Sequence, residues 1–328
     1  MDAIIRNRLK YTEPDYSQDW QYTTNSTATL VTKYIGANTV VVTPNKIKKL
    51  PVVLQNSPNA SSGVFTNNQN ITSVTFSDGI TFTNNSMVYT FYSCTNLTQA
   101  PNIPNSVTNM YRTFYYCTNL TQAPIIPNSV TNMSYTFFNC KNLTQAPNIP
   151  NSVTDMSCTF QYCNNLTQAP IIPNSVTNMS KTFSYCYNLT QAPNIPNSVT
   201  NMAYTFSNCT NLTQAPIIPN NVTSMASTFA NCYNITQAPI IPNNVTSMAY
   251  TFSSCSNLIG SIIIRSENIT GFRNCFYNTN ASKIKNVYIP FKYANGVNTK
   301  TYNSAFNTTY GINGKNGVTV YDINTYTG

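Results

Sequence analysis

The stretch that decides the fold is NLTQAPIIPNSVTNMSYTFFNCK, residues 119–141. It recurs along the chain with few changes. Its leading Asn returns as Asn96, Asn119, Asn142, Asn165, Asn188, Asn211, Asn234 and Asn257, always 23 residues apart. Two residues earlier a Cys returns in step, as Cys94, Cys117, Cys140, Cys163, Cys186, Cys209, Cys232 and Cys255. So strict a period means that each position meets the same environment in every copy. A solenoid of stacked coils supplies that; a single irregular core does not.

One unit reads as follows. Leu97, Ile103, Val107, Met110 and Phe114, with their copies, form the apolar set. Their spacing is too irregular for one helix. It predicts a short strand, a Pro-bounded corner and a tight helical turn before the Cys. Pro101 and Pro104 flank Ile103 and exclude a continuous helix there. A lone unit cannot bury its apolar side, but stacked units can, with strands pairing in parallel about 4.8 Å apart.

The Asn and Cys columns are read as structural ladders. A buried Asn in every coil would bond backbone groups of its own and the next coil, with a small, weakly polar Cys beside it. The same N-L-T or N-I-T is formally a glycosylation sequon in seven of the eight copies. An inward-facing Asn would be closed to that modification. Cα atoms one coil apart lie within disulfide range, yet free, buried thiols are the expected state. Cys158 and Cys275 stand off the column, and Cys158 occupies a variable position expected to be exposed.

Degenerate turns flank the array. FTNNQNITSVTFSDGI (65–80) keeps Phe65 five residues before Asn70 and adds three residues before the next unit. VVVTPNKI (40–47) is a Val-rich echo further back; Ile264, Ile269, Phe276 and NVYIPFKY (286–293) continue the pattern at the other end. The expected organisation is a docking arm or cap over 1–29, a solenoid over 30–290 with regular repeats at about 91–257, and a small β cap or hairpin over 291–328. Atypical end turns are what an open core needs.

Composition narrows the chemistry. The chain has no His, so the commonest general base and metal ligand are missing. The net charge of +9 sits at the ends: between residues 50 and 264 the only basic side chains are Arg112, Lys141 and Lys181. That is not the basic stripe that phosphates require. Acids are too few and scattered for a catalytic pair, and no CxxC occurs. No catalytic residue, metal or cofactor is expected, nor nucleic-acid binding. No apolar run is long enough for a signal sequence or a spanning helix, so membrane insertion and ordinary export are not expected.

Function is sought where the copies differ. The residue before the constant Thr-Phe reads Arg112, Tyr135, Cys158, Lys181, Tyr204, Ser227, Tyr250. Around the Cys come Tyr115 and Tyr116, Phe138 and Asn139, Gln161 and Tyr162, Ser184 and Tyr185, and after it Tyr187 and Tyr233. These columns should form one stripe. Its Tyr, Asn and Ser are the residues with which antibodies contact antigens. The expected ligand-binding set is therefore Arg112, Tyr115, Tyr116, Tyr135, Tyr162, Lys181, Tyr185, Tyr187, Tyr204, Tyr233 and Tyr250. Drift on a solvated face is the bland alternative. A second pattern follows Ala-Pro: Asn102, Ile125, Asn148, Ile171, Asn194, Ile217, Ile240, as if a 46-residue pair had been duplicated.

The motif IPNSVTNMSYTFFNCKNLT (126–144) resembles the BspA-like, or Treponema pallidum type, leucine-rich repeats, in which P-x-x-V and F-x-x-C recur in register. VTNMSYTF is also similar to repeats of mycoplasma-type surface lipoproteins. Ala100 departs from the family pattern, which has a large apolar strand residue there. The resemblance implies a leucine-rich-repeat-like, right-handed repeat solenoid of 23-residue turns with short parallel β-strands and short helical turns, capped at both ends. It also implies a non-enzymatic adhesion protein whose partner is a host-surface glycan or protein. Similar repeats occur in phage tail proteins, and the lack of a leader favours a virion component, with its arm or cap on other virion proteins. The alternatives are a bacterial cell-surface adhesin and a structural spacer; homo-oligomers fit any of the three.

Overall fold

The computed structural model describes residues 15–56, 62–279, 283–289, 319–322 and 324. Between 91 and 257 the chain winds in 23-residue coils. Successive coils are joined by single parallel bridges, Asn109 to Asn132, Asn132 to Asp155, Asp155 to Asn178 and onward. Leu97, Val107, Met110 and Phe114 and their copies are fully buried, with Ile103 nearly so.

Phe is the central column. From Phe65 to Phe276 each ring stacks on the next at 5.0–5.8 Å and within 11° of parallel. The column absorbs three extra residues between Phe65 and Phe91 and one between Phe252 and Phe276 without losing a step. Ring stacking and apolar burial hold the register across these insertions.

The helical turn expected before the Cys is not there. Each coil instead uses tandem four-residue turns. Thr113 N–H donates to Met110 O at 3.0 Å and Cys117 N–H to Phe114 O at 3.1 Å. Alternate N–H groups leave the coil: Met110, Phe114 and Tyr116 donate to Asn132, Thr136 and Phe138 of the next one. Backbone groups are thus satisfied within a turn or across a coil, and an i→i+4 ladder has no donors left.

Two columns are corrected or sharpened. The Asn column faces outward, since Leu97 turns in and its neighbours Asn96 and Thr98 must turn out. It is still a ladder, with long amide contacts such as Asn119 Nδ2 to Asn96 Oδ1 at 3.4 Å and Asn142 Nδ2 to Asn119 Oδ1 at 3.3 Å. The steric argument against its sequons therefore falls. The interior donors are Cys and Thr. Each of the eight column thiols, Cys94 to Cys255 in steps of 23, donates to the Phe carbonyl 26 or 29 residues back at 3.0–3.2 Å. Thr113 Oγ1 lies 2.8 Å from Met110 O and 2.9 Å from Met87 O. All ten Cys are free and buried. Cys158, expected at the surface, is covered as well, and Cys275 takes the place of the buried Thr, its carbonyl accepting from Phe252 N–H.

The ends are sheets. Strands β1 (Trp20–Thr24) and β2 (Thr29–Tyr34) pair antiparallel. Strands β3 (Val40–Val42), β4 (Lys46–Ile47) and β5 (Leu50–Leu54) follow, and β2 joins β5 in parallel. β6 (Ser73–Thr75) and β7 (Thr81–Phe82) link these strands to the first coils. Trp20 and Tyr34 lean on Phe65 at 5.9 and 5.8 Å and close the Phe column. At the other end β8 (Gly260–Ile263), β9 (Ile284–Ile289) and β10 (Thr319–Asp322) form a parallel sheet. Residues 319–322 thus run parallel to 284–289. The arm residues 1–14 and the segment 291–318 lie outside the described residues.

Candidate functional site

The two variable columns share a backbone property. Arg112, Tyr135, Cys158, Lys181, Tyr204, Ser227 and Tyr250 all have φ between 53° and 59°. So do Tyr116, Asn139, Tyr162, Tyr185, Asn208, Asn231 and Ser254, at 60–63°. Each is the third residue of one of the tandem turns. The left-handed conformation costs an ordinary side chain about 1–2 kcal/mol and is at home in Gly or Asn. No Gly occupies either column. The strain is held by coil-to-coil bonds, such as Arg112 N–H to Ser134 O and Tyr116 N–H to Phe138 O. What it achieves is direction: the variable side chains project from the turns while Thr and Phe between them point inward.

Over the first coils this face is filled. Tyr92, Tyr115 and Phe138 stack face to face at 4.8 and 4.5 Å. Tyr116 and Tyr135 touch the same rings. The Arg112 guanidinium lies 4.9–5.8 Å from the rings of Tyr89, Tyr111, Tyr115 and Tyr135. Its Nη1 donates to the Tyr89 hydroxyl at 3.2 Å. Arg112, predicted to meet a ligand, is therefore already engaged by four rings of its own chain. Burial, with the neighbouring Tyr116 and Tyr92, pushes the Tyr115 hydroxyl up to about 12. The hydrogen bond with the Cys158 thiol, and burial, push Tyr135 to about 12 as well. The cluster stays uncharged except for its one Arg.

Over the later coils the face is open. The column after Thr-Phe runs Tyr92, Tyr115, Phe138, Gln161, Ser184, Ser207, Ala230, Ser253, from large to small. Where it becomes small a groove of about 500 Å³ appears. Ser184, Ser207, Ala230 and Ser253 form its buried floor. Tyr204, Tyr250 and Lys181 line one wall, with the Lys181 ammonium 5.5 Å from the Tyr204 ring. Tyr185, Asn208 and Asn231 line the other, and Tyr162 stacks on Tyr185 at 4.3 Å. Tyr187 adjoins Tyr185 at 6.1 Å; Tyr233 is exposed beyond the Cys and is not among the groove residues.

The single predicted stripe thus divides into a closed cluster (Arg112, Tyr115, Tyr116, Tyr135) and an open groove (Tyr162, Lys181, Tyr185, Tyr204, Tyr250). Sequence reasoning missed Tyr89 and Tyr111 around Arg112 and the small floor residues. The floor was signalled by the large-to-small step down one column. Among the described residues no group of three His, Cys, Asp or Glu is placed to hold a metal, and no helix is long and apolar enough to cross a membrane.

A family model described as BspA type leucine rich repeat region matches residues 52–167, 88–213 and 178–313. The chain belongs to the BspA-type leucine-rich repeat family. Among solved structures, this BspA-type chain is similar to a leucine-rich repeat protein from Bacteroides ovatus, at 21% identity, with a TM-score of 0.64 over 82% of this chain and 69% of that one. It is also similar to a leucine rich cell surface protein from Faecalibacterium prausnitzii, at 21% identity, with a TM-score of 0.52 over 94% and 93%. At that identity the likeness speaks for the fold, a leucine-rich-repeat solenoid, with far less helix here than the repeat pattern alone suggested. No curated protein matches the chain.

Proposed function

We propose that this BspA-type chain is a non-enzymatic adhesion protein of the bacterial cell surface and that its groove between Lys181 and Ser253 grips a protein on the target surface. The observation that carries this is the emptied column. The repeats that fill the face with rings early leave it open later, between walls of Tyr and Asn held outward at strained positions. Tyr offers broad contact at little entropic cost, and Ser and Asn adapt their hydrogen bonds. The columns differ from coil to coil, which suits a partner without a repeat. Family membership and the cell-surface description of the F. prausnitzii relative support surface display over a virion role.

The test is attachment of beads coated with the purified chain to target cells, before and after the cells are treated with protease. The expected result is attachment that protease abolishes and that the variant Tyr185→Ser/Tyr204→Ser/Tyr250→Ser loses while keeping its circular dichroism spectrum. Attachment indifferent to these three tyrosines would overturn the reading.

A further inference from the structure

A second face of the solenoid behaves in the opposite way to the turn face. Along the N-L-T-Q-A-P edge the outward residues do not vary. Asn recurs in all eight copies, and Thr98 and Gln99 recur in the seven that follow the pattern, through Thr236 and Gln237. These Thr and Gln side chains are all exposed. The copies on both faces share one history of duplication, so drift has had the same time to act on each. The turn face has diverged; this edge has not. Something constrains it.

Internal bonding accounts for only part of that constraint. Asn side chains touch along their ladder, and Thr98 and Thr121 donate to the preceding coil at 3.1 and 3.4 Å. The Gln column, from Gln99 to Gln237, makes no side-chain hydrogen bond with any described residue. Hollows open beside it instead. One of about 450 Å³ is lined by Gln168, Ala169, Thr190, Gln191, Ala192 and Pro193. Another, of about 540 Å³, lies between Gln214 and Gln237 over Ala, Pro and Ile. The second hollow joins an apolar floor to amides that both donate and accept and has Arg265 in its lining; the first is walled mainly by amide and hydroxyl groups. No charged residue occurs in the N-L-T-Q-A-P segment of any copy.

The edge also has a longer period. Ile125, Ile171 and Ile217 stand 86–90% exposed, with Asn148 and Asn194 in the coils between. Apolar side chains so fully in water mark a contact surface when they recur in line. From Asn102 to Ile217 the chemical repeat of the edge is therefore two coils, about 10 Å at the usual spacing of paired strands, and Ile240 ends the alternation.

We infer that this edge is a binding site for an extended, uncharged polysaccharide with β-1,4 linkage, lying along the solenoid axis. Such a chain offers hydroxyl groups at its rim and an apolar ring face. Successive sugars are turned over, so it repeats every second sugar as the edge repeats every second coil. Gln amides take the hydroxyls, and Ala, Pro and alternate Ile take the ring faces. This site is separate from the groove and does not depend on it.

The probes are microcrystalline cellulose and chitin, with amylose as the α-linked control, and the full chain is measured by co-sedimentation. The chain is expected to sediment with cellulose or chitin and not with amylose. Gln168→Ala/Gln191→Ala/Gln214→Ala should weaken that by about ten-fold, as three sets of hydrogen bonds are lost. Ile171→Asn/Ile217→Asn, which breaks the two-coil period, should weaken it too. Tyr204→Ser/Tyr250→Ser should leave it unchanged, which separates this site from the groove. Failure to bind either β-linked polymer, equal binding to amylose, or binding indifferent to the Gln substitutions would overturn the inference.

Discussion

The thiol of Cys117 donates a hydrogen bond to the carbonyl oxygen of Phe91 at 3.1 Å, across 26 residues of sequence and one coil of structure. The relationship repeats up the column. It ties the Cys period and the Phe period into one device: the ring stack sets the rise, and the thiol gives a second donor to the carbonyl that closes each turn.

Removing one such donor in mid-array should be felt. In Cys163→Ala the carbonyl of Phe137 keeps the Cys140 N–H but loses its second donor inside an apolar core. The expected loss is about 0.5–1.5 kcal/mol of stability, read as a lower urea midpoint. An unchanged midpoint would mean that the thiols only fill space.

The thiols should also be inert until the chain unfolds. Burial raises the whole column above its ordinary value, with Cys94 and Cys255 at about 12. Thiolate is the reactive form. A maleimide at pH 8 should label none of the ten Cys in the native chain and all of them in guanidinium. The sign of the pH effect follows. The folded state holds these protons more tightly than the unfolded state, so this contribution is whole below about pH 9 and fades as the pH climbs towards 12. Urea midpoints taken from pH 7 to 11 should therefore fall on the alkaline side.

Phe160 stacks on Phe137 and Phe183 at 5.7 and 5.8 Å. Phe160→Ala opens a cavity in the middle of the array, for an expected loss of about 3–5 kcal/mol. Thermal melting of this variant beside Phe160→Leu would separate the lost volume from the lost stacking.

Strain and function should trade against each other at the left-handed columns. Tyr204 sits at φ 59° on the wall of the groove. Tyr204→Gly relieves the left-handed penalty, so stability should hold or rise by up to about 1 kcal/mol, while attachment of coated beads weakens. A destabilised Gly variant would show that the Tyr ring, not the partner, is what the backbone strain supports.

Arg112 is expected to act within the chain. Arg112→Met removes a cation from among four rings and should lower stability by about 1–2 kcal/mol. Attachment of coated beads should persist, since the groove lies coils away.

The sequence by itself determined the period, the core and the identity of the inward columns. Leu97, Val107, Met110, Phe114 and Cys117 could be read as interior because a strictly repeated apolar position has nowhere else to go. It also marked which columns vary. What it left open was direction and local conformation. Asn96 repeats as strictly as Leu97, yet it faces water, because period alone does not separate an inward ladder from an outward one. The helical turn before the Cys gave way to paired left-handed turns, where only Asn139, Asn208 and Asn231 carry a propensity signal and the other side chains are held there by bonds to the next coil. Arg112 looked like a free cation until the fold brought Tyr89, Tyr111, Tyr115 and Tyr135 around it. The groove exists only because Ser184, Ser207, Ala230 and Ser253 come to lie in one line. Adjacency between coils is what stacking creates, and the linear chain does not contain it.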